Sequence, residues 1–568
     1  MKLPVLRKNH FTLFIFCLPL FFSFSGTASQ SSEYDRKSLD LYFNLDNGEF
    51  RLKEVILVPS SASQSTYLKG GYKIEIVSQE KKLLFETYFR DPRIVFYDLL
   101  DTTTLDLSGG IIFKARKFFK IRIPYLPEAK SLSIFDPVGA EKFREDLDQI
   151  TARIQKIPFY PEWEVDTLIY NGEPSNRIDI VFLGDGYTIN DTALYTSDVQ
   201  TYLNFMFNSI SPHNEYSTYF NVYKVKVISQ ESGSDHPEWN PPVYRNTALG
   251  TYYGCEGIDR LICAVDDSVY AAAQSVPWYD EIAVLVNDPT YGGSGGEYLI
   301  TYNGSWGKDV FMHELGHSFA DLADEYLYGD YPGTVPNCNC DLNSVNPGWQ
   351  SWIDIGSPGV STFLGCSFNN LYRPTYNQCM MRSLQEKYCV VCQEQTIRTI
   401  YELVRGYDDF FPSTDTLTLE TLSHQMFELT TLTPNTHSLK VNWYVNDQLK
   451  SSDNPFNFIS SFAGFFTVKG VVYDSSEMVL DDPFNILVDY KEWQVTVIPG
   501  SFICGDPNQD TTVNVSDAIF IINYLFKGGP GPVPLASGDV NLDQEVTVSD
   551  VIYLINYLFK GGPEPCYF

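Results

Sequence analysis

From about residue 38 to 135, apolar and polar positions alternate in short runs, at 50–57, 72–77, 83–88 and 118–123, with turn-forming residues between them. Period-two alternation marks strands buried on one face, so this stretch predicts an antiparallel β-sandwich. The spacing then predicts a helix over 141–157 and a linker over 158–174. The pattern changes at 178–183 and again at 281–286, where continuous apolar runs predict strands buried on both faces. Helical spacing at about 192–208 and a strand over 222–229 lie between them, which predicts an α/β layer. A last helix, at about 392–405, closes this part. Alternation returns over 415–498, with Trp443 on the inward side, and predicts a small immunoglobulin-like β-sandwich.

Composition narrows the picture. At 568 residues the chain is too long for one core. The hydropathy pattern divides it into a signal peptide (1–28), an N-terminal β-sandwich (30–150), an α/β domain (160–408), an immunoglobulin-like β-sandwich (412–500) and a helical tail (503–568). The first segment has Lys2, Arg7 and Lys8, an apolar run over 11–24 and small residues up to Ala28, the pattern of an export signal. No other stretch is long and apolar enough to span a membrane. A formal net charge of −31 argues against nucleic acid and anionic membrane surfaces as partners. Of eleven cysteines, Cys17 lies in the leader; the remaining ten are an even number in an exported chain and predict disulfides. Cys389-x-x-Cys392 is read in the same way, because no second such pair exists to complete a metal site.

The chemistry concentrates in 310–326, a strongly apolar stretch holding His313-Glu314-x-x-His317 in a chain with only seven histidines. Residues four apart stack on one helix face, so both imidazoles can address one metal ion while Glu314 reaches a water beside it. Nitrogen donors with one open position suit zinc, so one catalytic Zn2+ is expected, with Glu314 as the proton carrier. Asp324 is the first choice for third ligand. It lies seven residues past His317, about 10 Å along a straight helix, so the chain must turn after His317. Glu325 is the second choice, and the distant Glu394 is a further one. Tyr326 and Tyr376 are the candidates for transition-state stabilisation.

The string over 313–326, with Phe182 to Thr188, Tyr219 to Tyr223, Tyr291 to Gly295 and Cys379 to Arg382, resembles the bacterial IgA-peptidase family of metallopeptidases over roughly residues 175–400. The resemblance implies a zincin-type, metzincin-like domain in a secreted zinc endopeptidase. It implies His313 and His317 as ligands, Glu314 as general base, and a methionine turn at Met380 or Met381 beneath the metal. It also implies an N-terminal accessory domain, and leaves open whether the substrate is a protein or a glycoprotein. The Gly-Asp-Gly turn at 184–186 and the glycine run at 292–296 read equally well as functional loops and as plain turns.

The tail is an internal repeat, 505–517 recurring as 538–550. Loop positions one, three, five and twelve are Asp506, Asn508, Asp510 and Asp517, then Asp539, Asn541, Asp543 and Asp550. Oxygen donors at that spacing are what a hard cation requires, so two structural Ca2+ ions are expected. Position six carries Thr511 and Gln544 instead of glycine. The pair resembles a type I dockerin, an α-helical calcium-binding module, which implies a cohesin-like scaffold as partner and leaves Cys504 and Cys566 placed to clasp its ends. The reading that follows is a tethered extracellular endopeptidase. A non-catalytic adhesion or scaffold protein with a vestigial zinc site is the competing class, and an exopeptidase a further rival.

Overall fold

The computed structural model describes residues 37–566, except 61, 63–70, 102–105, 155–162, 330–338 and 501. The expected signal peptide and Cys338 lie outside the described residues. The chain is multidomain and β-rich, with several sheets and a few helices.

The N-terminal alternation forms two antiparallel sheets. One is ordered Glu49–Val58, Ser38–Asp46, Arg116–Pro124, and the other Leu83–Phe89, Tyr72–Ser78, Ala129–Phe135, Glu141–Asp146. Phe43, Phe119, Ile74, Leu132 and Ile134 bury their side chains in a common core. The helix expected over 141–157 is a correction. Glu141–Asp146 is a strand paired with Ala129–Phe135, and only Leu147–Thr151 is helical. Cross-strand pairing of Phe143 with Ile134 overrides the local helical preference of this charged stretch. A separate hairpin, Ile94–Leu100 with Leu107–Phe113, belongs to neither sheet.

The middle of the chain is built on a mixed six-stranded sheet ordered Val165–Ile169, Phe220–Val225, Ile178–Asp185, Glu281–Val286, Leu299–Tyr302, Gly293–Ser294. The four inner strands run parallel, and the two edges antiparallel. Every residue of Ile178–Asp185 and Glu281–Val286 is buried, as strands covered on both faces must be. Ile180 and Phe182 share a core with helix Thr192–Ser209 and with helix Gly307–Ser318. Val181 and Leu183 point the other way, to helix Asp266–Ala273. Part of the expected linker is therefore structural, since Val165–Ile169 is an edge strand.

The next segment is a three-stranded and a five-stranded sheet enclosing Phe427, Trp443 and Trp493, the two indoles stacked 5.8 Å apart. The tail has helices Val515–Lys527 and Val548–Lys560 around Ile521, Val540 and Leu554. Cys504 and Cys566 are joined, closing its ends. Among the described residues, no helix is long and apolar enough to cross a membrane.

Candidate metal centre

Helix Gly307–Ser318 lies beside strand Leu299–Tyr302, pressed into the sheet by Val310, Phe311 and Leu315. It ends just after His317. Asp321 takes the left-handed conformation (φ 53°) and the Leu322 N–H returns to the Gly316 carbonyl. The sequence offers no glycine for this turn, and an aspartate makes it, one of the few residue types that tolerates that region. Arg90, from the N-terminal segment, donates to the His317 carbonyl at 2.8 Å and pairs with Asp321.

The turn brings Asp324 back to the two imidazoles. His313 Nδ1 lies 3.0 Å from the Met380 carbonyl and His317 Nδ1 2.7 Å from the Leu322 carbonyl. A carbonyl only accepts, so each Nδ1 carries the proton and each Nε2 presents a lone pair. Those two Nε2 atoms are 3.2 Å apart, and Asp324 Oδ1 sits 3.1 Å from one and 3.2 Å from the other. Ligands about 2.0 Å from a tetrahedral zinc are spaced about 3.3 Å from each other. Three acceptors at this spacing repel one another unless a cation stands between them.

The orphaned atoms say the same. Both Asp324 oxygens, both Glu314 oxygens and Asp98 Oδ2 are buried without a hydrogen-bond partner. Burial would normally forbid three carboxylates in one pocket. Burial raises the Glu314 carboxyl well above its ordinary range, and the neighbouring Asp98 charge raises it further. For His313, burial acts to lower the pKa, but Asp98 and Asp324 outweigh it and hold it well above its usual value, so that without a cation these carboxylates draw a second proton onto Nε2, the place a divalent cation would take. The pocket is an excess of negative charge that a divalent cation would neutralise. The residues present therefore fit a zinc ion.

The glycine run forms the edge strand Gly293–Ser294 and the residues after it. A Cβ on Gly295 would stand 2.6 Å from Glu314 Oε2 and 3.1 Å from His317 Cβ, so only glycine allows this edge to lie so close to Glu314. The edge pairs with the hairpin: the Phe96 N–H donates to the Gly295 carbonyl at 2.9 Å, and the Gly295 N–H returns at 3.4 Å. Two residues on, Asp98 Oδ2 lies 3.2 Å from His313 Nε2, and Tyr326 donates its hydroxyl to the other Asp98 oxygen. Phe96 stacks flat on the His317 ring, 4.1 Å between centroids.

Asp98 is the site residue that sequence reasoning missed. Its only signal is a lone carboxylate in an otherwise apolar strand. Of the other expected residues, Glu325 is buried but turned to Cys389 and Cys392, with Oε1 3.9 and 3.5 Å from their sulfurs. Glu394 is engaged elsewhere, by Trp352, Arg398 and the backbone of Leu480 and Asp481. Tyr376 is exposed, and Tyr326 reaches Asp98. Met380 and Met381 are both buried. Met381 lies under Gly316, where a Cβ would come within 2.8 Å of its sulfur. Asp185 of the Gly-Asp-Gly turn is structural, accepting from Ser229, Leu249 and Thr251.

The cysteine expectation is partly corrected. Cys255–Cys263 and Cys340–Cys366 are bonded, but Cys379, Cys389 and Cys392 are free. The Cys389 and Cys392 sulfurs stand 3.6 Å apart.

In the tail the two loops gather Asp506, Asp510 and Asp517, and Asp539, Asp543 and Asp550. Asn508 and Asn541 stand within these loops, each accepting from the backbone N–H two residues on. Thr511 and Gln544 adopt φ 72°, the conformation a glycine would ordinarily supply at loop position six.

Two imidazoles and a carboxylate at metal-ligand spacing, with a second carboxylate aimed beside them, are a donor set and an acid–base group that fit a divalent cation. Residues 166–358 match the family model described as IgA Peptidase M64, and residues 504–559 match that of the Dockerin type I domain. These are the two families that the motifs of the chain imply, the first over its middle segment and the second over its C-terminal module. No curated protein matches the chain.

Proposed function

We propose that this chain is an exported zinc-dependent endopeptidase, anchored through its dockerin to a cohesin-type scaffold. The observation that carries the metal reading is the pair of Nε2 atoms 3.2 Å apart with Asp324 Oδ1 beside both. His313, His317 and Asp324 hold the zinc, which supplies Lewis acidity toward a peptide carbonyl and toward water. Glu314, one residue along the helix and free of other partners, takes a proton from the attacking water and hands it to the departing amine nitrogen. The Gly295 N–H and carbonyl, which pair with Phe96 here, would bind an extended peptide as an added strand once that pairing is released, which suits cleavage within a chain. The parallel sheet with an antiparallel edge strand beside the histidine helix supports a zincin-type domain, and the paired sheets around Trp443 support the immunoglobulin-like reading.

In the tail, two calcium ions held by the repeated loops order the helices. Val515, Ile519 and Phe526 are exposed on the first helix, and Val548, Ile552 and Phe559 repeat them on the second. This duplicated apolar surface supports docking to a protein partner.

The test compares wild type with Glu314→Ala on a mixed protein substrate, with zinc measured in both. Equal zinc and a loss of cleavage of about 10²–10⁴-fold in the variant are expected. Absence of zinc from both would overturn the reading.

A further inference from the structure

The methionine turn, the arm carrying Asp324 and helix Val390–Leu403 meet at four buried side chains: Glu325, Cys379, Cys389 and Cys392. Cys379 Sγ is 3.7 Å and Cys389 Sγ 3.6 Å from Cys392 Sγ, and Glu325 Oε1 is 3.5 Å from the same sulfur. A disulfide needs sulfurs about 2.05 Å apart. The same chain bonds six other cysteines and leaves these three unbonded, their sulfurs and a Glu325 oxygen all within 4.8 Å of one another. Around a zinc ion with sulfur at about 2.3 Å and oxygen at about 2.0 Å, tetrahedral edges come to about 3.8 Å between sulfurs and about 3.5 Å from sulfur to oxygen.

We propose that Cys379, Cys389, Cys392 and Glu325 bind a second, structural zinc ion. The carboxylate is already oriented for it. Asn339 donates to Glu325 Oε1 at 3.3 Å and Thr375 to Oε2 at 3.4 Å, the outer support that metal ligands characteristically have. Four protein donors leave no open position, so the site holds structure and not substrate. Binding releases the thiol protons to solvent and protects three adjacent sulfurs from oxidation outside the cell. It fastens the turn whose Met380 carbonyl orients His313 to the arm whose Asp324 faces the same imidazole. The three cysteines lie beyond the matched segment 166–358.

The test uses the full chain. Two zinc ions per chain are expected in wild type, one in Cys389→Ser/Cys392→Ser, and one in His313→Ala/His317→Ala. Should the cysteine variant fail to fold, alkylation and peptide mapping of wild type decide. Trypsin separates Cys379 from the Cys389–Cys392 pair, because Arg382 and Lys387 lie between them. All three should resist alkylation until a chelator is added. A disulfide among them, or free alkylation in untreated protein, would overturn the site. Neither readout depends on peptidase activity.

A second inference stands on the hairpin and rests on the metal reading above. Its first strand pairs with Gly295 as an extended substrate would, and its second reaches the opposite wall, the Leu107 N–H donating to the Arg382 carbonyl at 3.1 Å. Asp98 faces the histidines from between. We infer that hairpin Ile94–Leu100/Leu107–Phe113 holds the enzyme latent, Asp98 blocking the metal position that substrate and water require. The test is titration of cobalt-substituted full-length protein with acetohydroxamate, followed by visible absorption. Asp98→Ala should bind the probe at least about tenfold more tightly than wild type, because the competent state is no longer a minor population. Equal affinity would overturn the inference, and so would loss of cobalt from the variant, which would make Asp98 a permanent ligand. Failure of both proteins to take up cobalt would instead sink the metal reading itself.

Discussion

Asp324 and Glu325 are consecutive, fully buried, and turned to different partners: Asp324 Oδ1 stands 3.1 Å from His313 Nε2, and Glu325 Oε1 stands 3.5 Å from Cys392 Sγ. One short arm after the histidine helix thus serves two donor clusters. Its backbone is fixed between them, with the Glu325 N–H donating to the Met381 carbonyl at 2.8 Å and Asn339 bonded to both sides of Ala323.

If Asp324 is the third ligand, Asp324→Ala should weaken zinc at the histidine site by at least about tenfold and abolish cleavage. Chelator competition reads the first effect and a protein-substrate assay the second. Unchanged zinc affinity would return the third-ligand role to another residue, with Asp98 the nearest carboxylate.

The glycine edge gives a prediction about turnover without metal loss. In Gly295→Ala the new methyl would press on Glu314 Oε2 at 2.6 Å and more lightly on His317 Cβ at 3.1 Å and Cδ2 at 3.3 Å, so Glu314, the proposed general base, must move furthest while the His317 ring gives by a few tenths of an ångström. The expected result is zinc content equal to wild type with kcat reduced by at least about 10²-fold. Zinc content and steady-state kinetics on the same preparation check it.

What the sequence discloses about this site depends on distance along the chain. His313, Glu314 and His317 are legible because one helical turn brings them together, and Asp324 because so few residues separate it from them. Asp98 is not legible. It lies 228 residues before the Tyr326 that holds it, and it arrives on a hairpin whose pairing with Gly295 no local pattern encodes. The cysteine cluster was hidden for a similar reason. Cys389 and Cys392 look like half of a familiar motif, and the missing half is Cys379 with a carboxylate 67 residues before Cys392. The turn at Asp321 was expected from geometry, but its residue type gave no signal. Strand 141–146 reads as helical in the sequence because its charged composition favours a helix until Ala129–Phe135 is there to pair with it.

Calcium removal should act on the tail alone. Asp517 and Asp550 are buried acids of the two loops, and burial raises both carboxyls above their ordinary range. Without a cation, each loop gathers three carboxylates offset by neutral donors such as backbone N–H groups, with no positive charge among them. A chelator selective for calcium over zinc should therefore release helices Val515–Lys527 and Val548–Lys560 to rapid amide exchange, while the Cys504–Cys566 bond keeps the module's ends together. Exchange over residues 178–286 should not change, and neither should cleavage. Hydrogen-exchange mass spectrometry with and without calcium checks both parts.

His213 makes the acid stability of the catalytic segment predictable. It is fully buried, neither ring nitrogen has a hydrogen-bond partner, and it packs between the Phe220 and Tyr388 rings at 6.0 Å from each. Burial pushes its pKa down to about 3. An unfolded histidine titrates near about 6.5, so between these values the unfolded chain binds a proton that the folded one does not. Stability from this group is therefore complete only at a pH well above about 6.5, and begins to fall as the pH approaches that value. It falls by about 1.4 kcal/mol for each pH unit below that, until the folded imidazole itself protonates. His213→Phe removes the proton acceptor and fills a comparable volume. Urea unfolding of the calcium- and zinc-loaded protein at pH 6.5 and pH 5.5 should show the wild type losing about 1 kcal/mol more than the variant, because the unfolded imidazole is already half protonated at the upper pH. Equal losses in the two proteins would mean that His213 reaches solvent or a partner in the folded chain.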